Sequence, residues 1–131
     1  MKNLKNSVFK LVDKSKININ CVKKEDAIKI HSDIINMFAD MRDIREISKD
    51  SRILGYKHVP SVILEFWINT KSQYQKKFLN ESFNFTFYYA SDWRSALATL
   101  VANSIGLLNT PYQKGGYNGW LELNDPIEEA I

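Results

Sequence analysis

VILEFWIN, residues 62–69, decides how this chain is read. Every position except Glu65 and Asn69 is apolar. A run this long and this uniformly apolar predicts a strand covered on both faces, at the centre of a sheet. A break at Gly55 and a proline at position 60 precede it, as expected for the entry to a strand. The next such stretch is FNFTFYY, residues 83–89, which alternates. Phe83, Phe85, Phe87 and Tyr89 fall on one face and Asn84, Thr86 and Tyr88 on the other. That pattern predicts a half-buried strand running antiparallel to the first.

Outward from these two strands the period changes. From Glu25 to Ser48 the apolar residues Ile30, Ile34, Met37, Met41 and Ile44 recur at spacings of four and three, with Ala27 and Phe38 widening the stripe. Glu25 and Asp26 suit the positive end of the resulting helix and Lys49 the negative end. A second helix is expected over about 92–108. Ser91 serves as its cap, Asp92 stands in its first turn, and Trp93, Ala96, Leu97, Leu100, Val101, Ser104 and Leu108 lie on one side until Asn109 and Pro111. At the amino end, Val8–Val12 and Lys16–Val22 read as a hairpin turning at Asp13, Lys14 and Ser15, and Trp120–Leu123 reads as a last short strand. The expected fold is one α+β domain over residues 1–131: a mostly antiparallel sheet with two main helices, about 25–48 and 92–108, packed on it.

Composition sets the outer limits. The chain has 131 residues, 44% hydrophobic and 25% charged, as in an ordinary globular domain with its own core. Its single cysteine, Cys21, cannot close an internal disulfide, which points to a reducing compartment and so to the cytoplasm. Lys10 interrupts the apolar run of Val8 and Phe9, so the amino end does not read as a signal peptide. The stretch from Ser95 to Leu108 is too short to span a bilayer, and no membrane role is expected. The net charge of +3 is unevenly spread. Seven lysines against Asp13 alone occupy the first 24 residues, whereas Glu122, Asp125, Glu128 and Glu129 make the last ten acidic.

YQKGGYNGW, residues 112–120, gathers three glycines and three aromatic rings. It is not a P-loop: Lys114 precedes the Gly115-Gly116 pair, no serine or threonine follows, and the residues beyond read as a strand. A dinucleotide fingerprint fails for the same reason. Asn118-Gly119 predicts a tight hairpin turn. Tyr112, Tyr117 and Trp120 on such a loop have the amphipathic character of interface anchors.

Catalytic and metal chemistry find little support. His31 and His58 are the only histidines, no pair has C-x-x-C or H-x-x-x-H spacing, and neither a metal nor a cofactor is expected. Cys21 continues the apolar face of Ile17 and Ile19, where a small hydrophobe belongs. Glu65 is the exception, a carboxylate sharing a strand face with Ile63 and Trp67. Buried there it would be a candidate acid or base; exposed, it would form an acidic-aromatic patch with Trp67.

Three classes of function follow from these residues. The first is a non-catalytic protein-binding inhibitor, similar in general character to immunity or antitoxin-type proteins of bacterial or phage origin that block a toxin such as a nuclease. Asp33, Asp40 and Asp43 on one helix flank would meet the basic protein partner, with Glu65, Trp67, Tyr112, Tyr117 and Trp120 supplying contact area. The second is a nucleic-acid binder using the basic amino-terminal region. The third is a small enzyme using Glu65 and a histidine. The first is the reading adopted from the sequence, with no catalytic residue assigned.

Overall fold

The computed structural model describes residues 7–17, 19–33, 35–49, 51–69, 71–76, 78–79, 84–91, 93–107, 110–123 and 126–128. Ile34, Phe83, Asp92, Leu108, Asn109, Asp125 and Glu129, named above, lie outside them. Five strands form the central sheet, in the order β1 (Cys21–Val22), β6 (Tyr112–Gln113), β5 (Asn84–Tyr88), β2 (Asn36–Asp40) and β4 (Lys57–His58). Every pairing in it is parallel. A separate antiparallel pair joins β3 (Arg52–Ile53) to β7 (Ile127–Glu128). The helices are α1 (Val8–Ser15), α2 (Lys24–His31), α3 (Ile44–Lys49), α4 (Leu64–Ile68), α5 (Trp93–Ile105) and α6 (Gly116–Glu122). The architecture is α/β, and the expected mostly antiparallel sheet is corrected to a parallel one.

The reason lies in β5. Its register against β2 pairs Asn36 with Asn84 and Asp40 with Tyr88. Phe85 and Phe87 enter one core cluster with Ala39, Leu64, Ile68, Ala98 and Ala102. Tyr88 enters a second cluster with Phe38, Ala27, Tyr117 and Trp120. Both faces are therefore covered, the first by α4 and α5 and the second by α2 and α6. Thr86 is buried as well, so the alternation of phenylalanine with polar-tipped residues marks two dry faces and not one wet one.

VILEFWIN is not a strand. Pro60 is extended, Ser61–Ile63 form a 3₁₀ turn, and Leu64–Ile68 continue as α4. Leu64 and Ile68, one turn apart, are buried, while Val62, Glu65 and Phe66 face outward. The expected helix over 25–48 is also divided, into α2, β2 and α3. After α2, Asp33 accepts a hydrogen bond from the Ile35 N–H at 3.2 Å, and the Asn36 amide donates to the Ile30 carbonyl at 3.2 Å. This side-chain bonding to local backbone is the alternative that Ser, Asp and Asn offer to a continuing helix. At the amino end, Ser7 caps α1 by accepting from the Lys10 N–H at 3.2 Å. A helix thus stands where a hairpin was expected. α5 occupies the interior of the expected second helix.

Candidate functional site

In this sheet, chain order and strand order diverge between β2 and β5. β2 leads through α3 to β4 on one side, and β5 leads through α5 to β6 on the other. The carboxyl ends of β2 and β5 thus flank a topological switch point, where open parallel sheets present their ligand crevice.

At the end of β2, Asp40 and Arg42 form a buried ion pair, with side chains 0% and 3% exposed. The guanidinium donates through Nε to both carboxylate oxygens and through Nη2 to one of them, at 2.8–3.2 Å. Nη2 also reaches the Ser51 carbonyl at 3.0 Å. Burial alone would lower the pKa of Arg42, but the hydrogen bonds and charge of Asp40 outweigh it and the net direction is up. Tyr88 lies beside this pair with its hydroxyl buried and, among the described residues, without a partner at hydrogen-bond geometry. Burial, then the Asp40 charge, pushes that phenol well above the ordinary tyrosine value.

The turn that leaves β5, residues 89–91, rests on α6. The Tyr117 and Asn118 N–H groups donate to the Tyr89 and Ala90 carbonyls at 2.7 and 3.1 Å. Gly116 has φ of +60°, and a Cβ there would stand 2.3 Å from the Tyr89 carbonyl oxygen. Only glycine permits so close an approach. The expected hairpin at Asn118-Gly119 and the expected strand at Trp120–Leu123 are both replaced by α6.

Arg42, Ser51, Ala90, Tyr117 and Asn118 line an open depression of about 300 Å³, together with the carboxylate residue Glu46. Tyr117 and Ser51 share a hydroxyl–hydroxyl hydrogen bond at its wall. At the start of α5, the Arg94 guanidinium lies 4.9 Å from the centre of the Tyr89 ring. Trp93 is 50% exposed and meets Phe9 of α1 edge to face. The first N–H groups of a helix have no intrahelical acceptor, so the start of α5 presents donors beside the turn. Such a place can hold an oxyanion.

The residues singled out from sequence are dispersed. Asp33 is exposed in the turn after α2, Asp40 is buried against Arg42, and Asp43 is exposed and bonded to Arg45. The three share no helix flank. Tyr112, Tyr117 and Trp120 are core residues; Trp120 donates through Nε1 to the Pro126 carbonyl at 3.1 Å. Glu65 is exposed and Trp67 half-buried on α4. His31 meets the Leu54 carbonyl and the Trp120 ring, and His58 meets the Arg42 carbonyl, so neither joins Glu65. Cys21 is exposed on the edge strand β1, separated from β5 by β6. Among the described residues no helix is long and apolar enough to cross a membrane. Sequence reasoning treated Ser91 only as a cap and assigned Arg42 no place in a site. A strand ending in small residues directly before a helix was the signal that could have marked the turn.

No family model matches the sequence, and no curated protein matches it. Solved structures do. A Rhodopseudomonas palustris protein, named as of unknown function and a possible tyrosine phosphatase, is 32% identical over 98% of both chains, with a TM-score of 0.93. A rhodanese-related protein from Thermoplasma volcanium is 20% identical over 83% of this chain and 97% of its own, with a TM-score of 0.67. The polysulfide-sulfur transferase of Wolinella succinogenes is 23% identical over 90% of this chain and 84% of its own, with a TM-score of 0.65. These likenesses give the chain a rhodanese-like α/β fold. They overturn the expectation of an immunity or antitoxin-type inhibitor of a toxin, because the resembling structures are rhodanese-like and include a sulfur transferase.

Proposed function

We propose a function on this premise: the chain belongs to the family of the Rhodopseudomonas palustris protein, with which it shares 32% of its residues over 98% of both chains. The function is that of a rhodanese-type domain taking the oxyanion group of a phosphorylated or sulfur-oxyanion ligand at the turn between β5 and α5. One observation carries this reading. A buried guanidinium, that of Arg42, lines the depression at the switch point beside Ala90. Asp40 engages Nε and Nη2, and the geometry leaves Nη1 for a ligand. Arg94, whose guanidinium lies over the Tyr89 ring, and the opening N–H groups of α5 are the further donors this reading assigns to the anion.

Passing a sulfur or phosphoryl group through a covalent intermediate requires a nucleophile at the anion. The turn carries the Ser91 hydroxyl and no thiol, and Cys21 stands two strands away, about 10 Å at ordinary strand spacing. Thiolate chemistry is therefore not assigned to this turn. Ser91 is the hydroxyl this reading assigns to the anion, because it directly follows Ala90, which lines the depression.

The test is amide chemical-shift mapping and calorimetry with orthophosphate, thiosulfate and O-phosphotyrosine. Shifts at residues 89–94 are expected, with affinity reduced about tenfold in Arg94→Gln, as for loss of one charge-assisted contact. Absence of any shift at these amides would remove the assignment. Phosphate release from O-phosphotyrosine that is abolished in Ser91→Ala would mark the hydroxyl as nucleophile, whereas binding without release would make the site a reader of the anion.

A further inference from the structure

Next to the switch-point depression lies a second one, of about 350 Å³, and Asn118 lines both. Three lysines face it, Lys23, Lys24 and Lys114, against two carboxylates, Glu25 and Glu122. Lys24 is spoken for. Gly119 lets its stem pass, since a Cβ there would stand 3.3 Å from the Lys24 Cδ, and its ammonium is paired with Glu122. Lys23 and Lys114 are both exposed, and among the described residues neither has an ion-pair partner.

Their placement is set by the sheet. Val22 and Gln113 are register partners at the carboxyl ends of β1 and β6, and the Lys114 N–H donates to the Val22 carbonyl at 2.8 Å. Lys23 and Lys114 are the next residues of the two strands, so two like charges leave adjacent parallel strands side by side. Such a juxtaposition is mildly unfavourable, and an anion between the two ammonium groups would relieve it. Lys23, Lys24 and Glu25, which line the depression, are also the cap and first residues of α2, whose opening amides have no side-chain cap.

We propose that this depression is a second anion subsite for the ligand of the β5–α5 turn. The ligand then carries two anionic groups, one held at Arg42 and Arg94 and the other between Lys23 and Lys114. This inference rests on the oxyanion reading above and specifies its substrate class: a bisphosphate, or a phosphorylated group followed by a carboxylate.

The experiment compares orthophosphate with alkanediol bisphosphates of graded length, in the wild type and in Lys23→Gln/Lys114→Gln. At the matching length the bisphosphate is expected to bind at least about tenfold more tightly than orthophosphate, the gain of a tethered second contact. It should shift the amides of Lys24 and Gly119 together with those of 89–94. The double variant should lose that gain and keep the orthophosphate affinity read at the amides of 89–94. A peptide with O-phosphotyrosine followed by glutamates, set against its glutamine counterpart, distinguishes a peptide source from a small molecule. Equal affinity for all lengths, unchanged in the double variant, would overturn the proposal. Shifts at Lys24 and Gly119 that occur without any at 89–94 would overturn the shared ligand and, separately, the oxyanion reading. Shifts confined to 89–94 would overturn the second subsite alone.

Discussion

The guanidinium carbon of Arg42 lies 4.5 Å from the centre of the Tyr117 ring, so a charge just beyond β2 is held between an acidic partner and an aromatic face of α6. Asp40 makes that arrangement tolerable, because a buried guanidinium without its carboxylate is left uncompensated. Asp40→Asn should therefore lower stability by about 3–5 kcal/mol, the cost of breaking a buried pair from one side. Urea unfolding checks this. Restoration of most of the loss in Asp40→Asn/Arg42→Met would attribute it to the orphaned charge, and a change below about 0.5 kcal/mol in the single variant would contradict the burial of the pair.

The raised phenol of Tyr88 has a pH signature. In the unfolded chain this tyrosine ionises near pH 10, while in the folded protein it holds its proton to higher pH. The unfolded state therefore loses the proton first. Its contribution to stability is complete below about pH 10 and declines as pH rises through the folded value. Absorbance titration should show a late tyrosine ionisation that waits for the protein to unfold. Tyr88→Phe should remove that late step; if the late step remains, another tyrosine is responsible.

Gly116 and Gly55 form a matched comparison. Both have positive φ, +60° and +81°, but a Cβ at Gly116 would collide with the Tyr89 and Ser91 carbonyls whereas at Gly55 it would meet open space. Gly55→Ala should cost about 1–2 kcal/mol, the backbone strain alone. Gly116→Ala should cost distinctly more and perturb the amides of 89–94. Equal losses in thermal unfolding would mean that α6 does not press on the turn.

The helical reading of VILEFWIN is testable by period. Leu64→Ala and Ile68→Ala should each cost about 2–5 kcal/mol, and Val62→Ala and Phe66→Ala about 0.5 kcal/mol or less, in chemical denaturation. A strand would place all four on one face and make their costs similar.

That stretch also shows what the sequence could and could not convey. Residues 84–88 are visible as a strand because their own alternation is strong, and α5 is visible because its apolar face repeats over three turns. The direction of pairing was not visible. Thr86 and Tyr88 look like solvent-facing residues until α2 and α6 are known to cover them, and that knowledge is tertiary. Between Ile30 and Ile44 the spacing of four and three fits a helix, yet Asp33 and Asn36 break it with local hydrogen bonds that periodicity does not register. The candidate site suffered most. Asp40 was read as a partner-facing surface charge and its pairing with Arg42, two positions on, was not visible, and Ala90-Ser91 acquires meaning only from lying at a point where connections part. Tyr117 and Trp120 were recognised as special residues, but their role is burial against Tyr88 and Phe38.

The outermost strands of the sheet, Cys21–Val22 and Lys57–His58, are each two residues long. A neighbouring molecule seeking to prolong the ladder would find too few free backbone groups at either margin, and at one of them a lysine. The protein should accordingly resist the strand-swapped aggregates and fibrils to which a broad, flat parallel sheet would otherwise be prone.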